Sequence, residues 1–188
     1  MRRSLWFLLL PLVLAGCGYN TIQSYDETAA KAKKDIEVQL QRRADLIPNL
    51  VNTVKGFAAQ ESSVLTEVTK ARAGLSGAIQ GGKMNEMADA NQQLTGALSR
   101  LMVTVEAYPQ LKSDQNFLQL QDELTGTENR IAVARKDYNE SVGMYNAYIR
   151  KFPQVLTAKV TGAKAREYFE VTTAAARETP TVDFSKKP

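Results

Sequence analysis

LQRRADLIPNLVNTV, residues 40–54, decides how the rest of the chain is read. Leu40, Ala44, Ile47, Val51 and Val54 recur at spacings of three and four, which lines one face of a helix and does not fit strand alternation. Pro48 sits in the middle of that face. It lacks the N–H that would bond the Ala44 carbonyl, and its ring crowds that group, at a cost of about 3 kcal/mol inside a helix. Asp45 offers an alternative, as the N-cap of a fresh helix with Pro48 in its first turn. The apolar phase runs through Pro48 unbroken, so a kinked helix is expected here and not a break.

Followed outward, the stripe continues through Ala58, Glu61, Leu65, Val68, Arg72 and Leu75. This predicts one first helix over residues 21–76, about 84 Å long at 1.5 Å per residue. Gly74, Gly77, Gly81 and Gly82 then make a turn the low-cost outcome. A second stripe runs Met84, Met87, Asn91, Leu94, Leu98, Leu101, Val105 and Tyr108, and Pro109 ends it. Ser113 or Asp114 can N-cap a third helix. Its stripe is Phe117, Leu120, Leu124, Thr127, Ile131, Ala134, Tyr138, Ser141, Tyr145, Tyr148 and Phe152, stopped by Pro153. Two further helical turns fit residues 154–160, and an extended or disordered tail follows from Lys164. The fold class expected is all-α: an elongated antiparallel bundle of three long helices, a short fourth helical segment and a C-terminal tail.

The chain opens with Met1-Arg2-Arg3 and the apolar run of residues 5–14, too short to span a bilayer as a helix, which takes about 20 residues. Leu14-Ala15-Gly16-Cys17 resembles a bacterial lipobox. That resemblance implies cleavage between Gly16 and Cys17 and a diacylglycerol on the Cys17 sulfur, and such acyl chains hold a protein durably on a membrane. The organisation expected is a signal peptide over 1–16, a lipidated anchor over 17–20, a bundle over 21–176 and a disordered tail over 177–188. Gly18, where an aspartate would imply inner-membrane retention, favours the outer membrane of a two-membrane envelope. The folded part would then face the periplasm or the exterior.

Composition narrows the chemistry. The net charge of +4 falls to +2 when residues 1–16, with Arg2 and Arg3, are set aside. Charges of both signs mix along the chain, without the basic patch that nucleic acid requires. Cys17 is the only cysteine and there is no histidine. An internal disulfide, a Cys/His zinc site, a Ser-His-Asp triad and a Glu-x-x-His di-iron site are therefore all ruled out. No metal or cofactor is expected beyond the covalent lipid, and the protein is read as non-enzymatic.

The stretch Arg42-Arg43-x-Asp45-Leu46-Ile47-Pro48-Asn49-Leu50-Val51 resembles the signature of the LemA family. Further matching segments occur in order: Tyr19-Asn20, Glu106-Ala107-Tyr108-Pro109-x-Leu111-Lys112, Asn116-Phe117-x-x-Leu120-Gln121 and Thr127-Glu128-Asn129-Arg130-Ile131-Ala132. Tyr138-Asn139, Tyr145-Asn146, Phe152-Pro153 and Tyr168-Phe169-Glu170 complete the set. The resemblance implies an elongated helical bundle tethered by its N-terminus, with membrane-organising roles for some members. Relatives commonly begin with a transmembrane helix, whereas this chain carries a lipobox.

Glu61, Arg72, Asn91, Thr127 and Ser141 interrupt the apolar stripes, and are read as register-setting hydrogen bonds or rim positions before a polar site. The aromatic stripe of Tyr138, Tyr145, Tyr148 and Phe152 is read as core. A first hairpin with its tip near Ile79 would set Val54 level with Thr104, and Pro48 beside Gln110 and Pro109. Arg42, Arg43, Asp45, Pro48, Tyr108 and Pro109 would then form one partner-binding junction, with residues 21–44 left uncovered for the tail, a second copy or another protein. The function expected is a scaffold or adaptor at the bacterial cell envelope, with an unidentified membrane or envelope protein as partner. The alternative is an accessory subunit regulating a membrane protease, transporter or other membrane enzyme.

Overall fold

The computed structural model describes residues 18–172, and they form helices without strands. The positions named for cleavage and lipidation, Gly16 and Cys17, and the tail over 177–188 lie outside them. In chain order the helices are α1 (Tyr19–Phe57), α2 (Ser62–Gly81), α3 (Met84–Val105), the one-turn α4 (Pro109–Lys112), α5 (Gln115–Tyr148) and α6 (Gln154–Thr161).

α1 continues through Pro48 as one helix of 39 residues, about 58 Å long. The Ala44 carbonyl that Pro48 cannot serve accepts a bond at 3.3 Å from Arg72 Nε of α2. The proline is tolerated because a side chain from the next helix supplies the missing donor.

The expected first helix over 21–76 is in fact two. α1 stops at Phe57, residues 58–61 reverse the chain, and α2 returns along α1. Two contacts fix this direction: Arg72 reaches Ala44, and Lys33 Nζ donates to the Gly82 carbonyl. Gly56 beside Phe57 weakens the helix there. Folding back also buries Leu65, Val68 and Leu75 against Leu40, Ala44 and Ile47, which a continuous helix would leave to solvent. The turn conserves the three-four spacing between Ala58, Glu61 and Leu65, so periodicity alone cannot reveal it.

The glycine-rich stretch is the converse case. Gly74 and Gly77 stay helical, each costing about 1 kcal/mol against alanine. Only Gly82, at φ 71, leaves the helix, and its N–H caps the Ala78 and Ile79 carbonyls. α3 then runs antiparallel to α2, with Arg100 paired to Glu67, and so parallel to α1, with Arg43 Nη1 2.8 Å from Asn91 Oδ1. Its apolar stripe is buried as expected from Met84 to Val105.

Asp114 caps α5 as foreseen, accepting from the Phe117 N–H at 2.9 Å. α5 lies antiparallel along nearly the whole of α1. Residues 21–44 are therefore not uncovered: the second half of α5, then α6 and residues 163–172, pack on them. The hairpin register with its tip at Ile79 does not hold. With Arg43 level with Asn91, Pro48 lies near Gly96, on the order of 20 Å from Pro109. Phe152, placed on the core stripe by its spacing, is 81% exposed, because α5 ends at Tyr148 and the chain turns before it.

The Arg72 bond is testable. Arg72→Ala should cost about 1 kcal/mol in urea unfolding. In a Pro48→Ala background, where residue 48 regains its N–H, the same change should cost markedly less. Equal losses in both backgrounds would show that Arg72 does not serve the proline.

Candidate functional site

Of the residues named from the sequence, Arg43 is the most changed by the fold. It is 2% exposed, held among α1, α3 and α5. It donates to Asn91 and lies 3.9 Å from a Glu128 carboxylate that is itself largely in solvent, and its Nε finds no partner among the described residues. Burial pushes its pKa down, and Glu128 acts against that shift. Arg43 is thus an internal strut and does not offer its charge to a partner. Arg42 and Asp45 are exposed, with Asp45 accepting from Gln41 Nε2 at 2.8 Å. Tyr108 lies at the far end, where its hydroxyl donates to Glu61 and accepts from Gln60, tying the 58–61 turn to the end of α3. Pro109 begins α4 beside it. The six residues do not converge.

The polar interruptions of the stripes each have a structural bond. Arg72 serves Ala44, Asn91 receives Arg43, Glu61 receives Tyr108, Thr127 Oγ1 donates to the Leu124 carbonyl and Ser141 Oγ to the Asp137 carbonyl. Among the described residues no group of three or more His, Cys, Asp or Glu is placed to hold a metal ion.

Two features carry recognition chemistry. The first is a clamp on α5. Asn146 makes a two-pronged bond to the backbone of Arg166, receiving its N–H at 2.8 Å and donating to its carbonyl at 2.9 Å. Asn139 does the same to Phe169, at 2.8 and 3.3 Å. Seven residues of helix advance about 10.5 Å, and three residues of extended chain about 10 Å, so the two spacings match. Tyr138 adds a bond from its hydroxyl to the Glu167 carbonyl, and Phe169 is buried. Arg166 Nε binds Asp26 at 2.7 Å while the guanidinium lies over the Tyr145 ring, 5.9 Å from its centroid. That bond holds the Asp26 carboxyl below its ordinary range. The repeated pairs Tyr138-Asn139 and Tyr145-Asn146 therefore fasten residues 165–172 as a strap over the upper half of the rod. The signal in the sequence was the seven-residue repeat of Tyr-Asn. Its meaning stayed hidden because the partner is backbone, which has no sequence signature.

The second feature is an open groove of about 450 Å³ between α1 and α5, lined by Leu46, Asn49, Asn52, Asn116, Gln119 and Leu120. The side chains of these four amides make no hydrogen bond within the described residues. Arg42 and Asp45 stand one turn above the groove on the same face of α1. Asn116 stands at the start of α5, just after the connection that holds Tyr108 and Pro109.

Fold and site together define an elongated all-α bundle whose polar groups join helices, strap and surface groove. The LemA family profile matches residues 32–184, and the chain belongs to the LemA family. It is similar to the magnetosome proteins MamQ 1 and MamQ 2 of Paramagnetospirillum magneticum, each 33% identical over 175 residues, covering 81% of this chain. It is also similar to magnetosome protein MamQ of Magnetospirillum gryphiswaldense, 34% identical over 174 residues and 80% of this chain. In each case the match spans 64% of the relative's length.

The strap yields two expectations. Asn139→Ala and Asn146→Ala should each speed amide exchange at residues 166–169 by an order of magnitude or more, with a stability loss of about 1 kcal/mol. The second concerns pH. Because Asp26 is depressed in the folded protein, its pairing with Arg166 is fully present above the ordinary carboxylate value of 3.8 and is lost as pH falls through the lower folded value. The Arg166 Nε resonance should shift only in that acidic range, and Asp26→Asn should abolish the step.

Proposed function

We propose that the protein is a non-enzymatic helical scaffold, tethered to a membrane of the bacterial cell envelope by a lipid on Cys17 after cleavage behind Gly16, and that it engages partner proteins along the α1/α5 groove. The observation that carries this reading is the row of free amides at Asn49, Asn52, Asn116 and Gln119 over the apolar floor of Leu46 and Leu120. A side-chain amide offers one donor and one acceptor group side by side, the pattern of a peptide edge. The strap uses the same chemistry within this molecule, where Asn139 and Asn146 hold extended backbone.

On this reading the partner surface keeps Arg42, Asp45 and Pro48 as its upper rim, with Arg43 bracing α1 from within. Tyr108 and Pro109 shape the lower end through the connection that leads to Asn116. Support for a membrane setting comes from the apolar run of residues 5–14 with Leu14-Ala15-Gly16-Cys17, and from relatives named as magnetosome proteins. Gly18 inclines the sorting of the lipoprotein towards an outer membrane, with the bundle facing the periplasm or the exterior.

A photocrosslinking residue at position 49 or 119, introduced into the full chain in cells, should give protein adducts, whereas one at exposed Val103 on α3 should not. A varied set of adducts fits a scaffold. One stoichiometric protease or transporter would recast the protein as an accessory subunit, and no adduct at 49 or 119 would remove the groove from consideration. For the tether, Cys17→Ala should release the protein from membranes or leave it unprocessed, and mass spectrometry should find an acylated Cys17 as first residue. An unmodified Cys17 within a membrane-bound chain would overturn the lipid anchor.

A further inference from the structure

α6 is turned inside out relative to the rest of the bundle. Its buried residues are Thr157 and Ala158, which pack towards Ile22, Tyr145 and Ile149. Its opposite face carries Leu156 and Val160, 55% and 88% exposed, and the turn before it carries Phe152, 81% exposed. Leu156 and Val160, spaced i and i+4, form one apolar ridge on α6, and exposed Phe152 adds apolar surface in the turn just before it.

Charge around the ridge is one-sided. No Asp or Glu occurs over residues 141–166, while Arg150, Lys151, Lys159 and Lys164 are all exposed and form no ion pair among the described residues. An apolar ridge flanked by unpaired cations is the pattern of a helix lying in an anionic lipid interface.

Position completes the argument. Gly18, where the described chain begins, lies against α6, since a Cβ built there would stand 3.2 Å from Gln154 Cγ and 3.5 Å from the Tyr148 hydroxyl. Cys17, the proposed lipid site, is bonded directly to Gly18, so the tether meets the bundle at the α6 end. Tyr19, half-exposed at the same end, adds an aromatic of the kind enriched at lipid interfaces.

We propose that α6, through Phe152, Leu156 and Val160 with Arg150, Lys151, Lys159 and Lys164, is a second membrane-contact element that seats the α6 end of the bundle on an anionic lipid surface. The proposal rests on the tethered reading above and adds to it. One tether leaves a rod free to swivel, whereas a tether with an interfacial helix beside it fixes which end meets the bilayer.

The test uses the full chain with Trp6→Phe, which removes the only tryptophan, and Leu156→Trp as the probe. The protein is reconstituted into vesicles containing phosphatidylglycerol, with and without brominated acyl chains. The indole introduced on α6 should be quenched severalfold by the brominated lipid, and that of a Val103→Trp control on α3 should not. Reversing Arg150, Lys151 and Lys159 to Glu should weaken the contact about fivefold per charge and abolish its preference over phosphatidylcholine vesicles. If the protein floats with vesicles and Cys17 is acylated but the α6 indole is not quenched, the α6 proposal falls and the tether stands. Quenching with an unmodified Cys17 sustains α6 and overturns the lipid anchor, while failure to float overturns both. A blue shift of the α6 indole that depends on protein concentration and not on lipid would assign the ridge to a second copy and overturn the membrane assignment.

Discussion

A mismatch of lengths governs this molecule. α1 extends about 58 Å, while the α2–α3 hairpin packed against it is about 30 Å tall. An amphipathic helix does not leave half of its apolar face in water, because each buried leucine or isoleucine is worth roughly 2 kcal/mol. Everything beyond Lys112 answers that demand. α5 lies along α1 over almost its whole length, and in the upper half, where the hairpin ends at Gly82, α6 and the strap take the hairpin's place.

The two halves are consequently held by different physics. Around Leu40, Ile47, Leu50, Leu94 and Leu101 the core is a conventional apolar interior with Arg43 as its buried charge. Around Ile22, Tyr25 and Tyr145 there is a smaller apolar cluster, and bonds to backbone do more of the holding. An extended strap has no neighbouring strand to pair its N–H and C=O groups, and those that packing takes out of water need another partner. Asn139 and Asn146 meet that need at two residues, and Asp89 meets it again through the Thr172 N–H and hydroxyl. The strap thereby links the top of α3 to the upper half of α5, so the two regions are not independent.

What the residues disclosed beforehand follows the same division. Periodicity located the stripes, because burial repeats at 3.5 residues wherever helices pack lengthwise. It also read the polar interruptions as register-setting bonds or rim positions, and Arg72 and Asn91 do join helices, whereas Thr127 and Ser141 bond carbonyls of their own helix. Periodicity failed at residues 58–61, where a four-residue reversal keeps the phase of Ala58, Glu61 and Leu65. Composition misled at residues 74–82, where Gly74 and Gly77 are carried by the packing of Leu75 and only Gly82 has to turn. From those two errors came the false meeting of Pro48 with Pro109. The surface groove was not legible: of its lining none was named as a site residue from the sequence, and Asn49 meets Asn116 and Gln119, far along the chain, only through the register of α1 with α5.

Pro48 shows how the local and global constraints meet. A proline in mid-helix removes a donor, and the least disruptive remedy is a donor from outside the helix. Arg72 can supply it only if α2 returns along α1 at a fixed height, so the bond ties the position of the 58–61 turn to the position of the proline. A helix continuing past Phe57 would carry Arg72 on the order of 40 Å away from Ala44 and leave that carbonyl unmet. The same proline that looks like a defect in one helix thus favours the folded-back arrangement over the extended one. With α2 so placed, the hairpin tip at Gly82 reaches α1 at Lys33, and the 14 or so residues of α1 above that point are left for α5, α6 and the strap to cover.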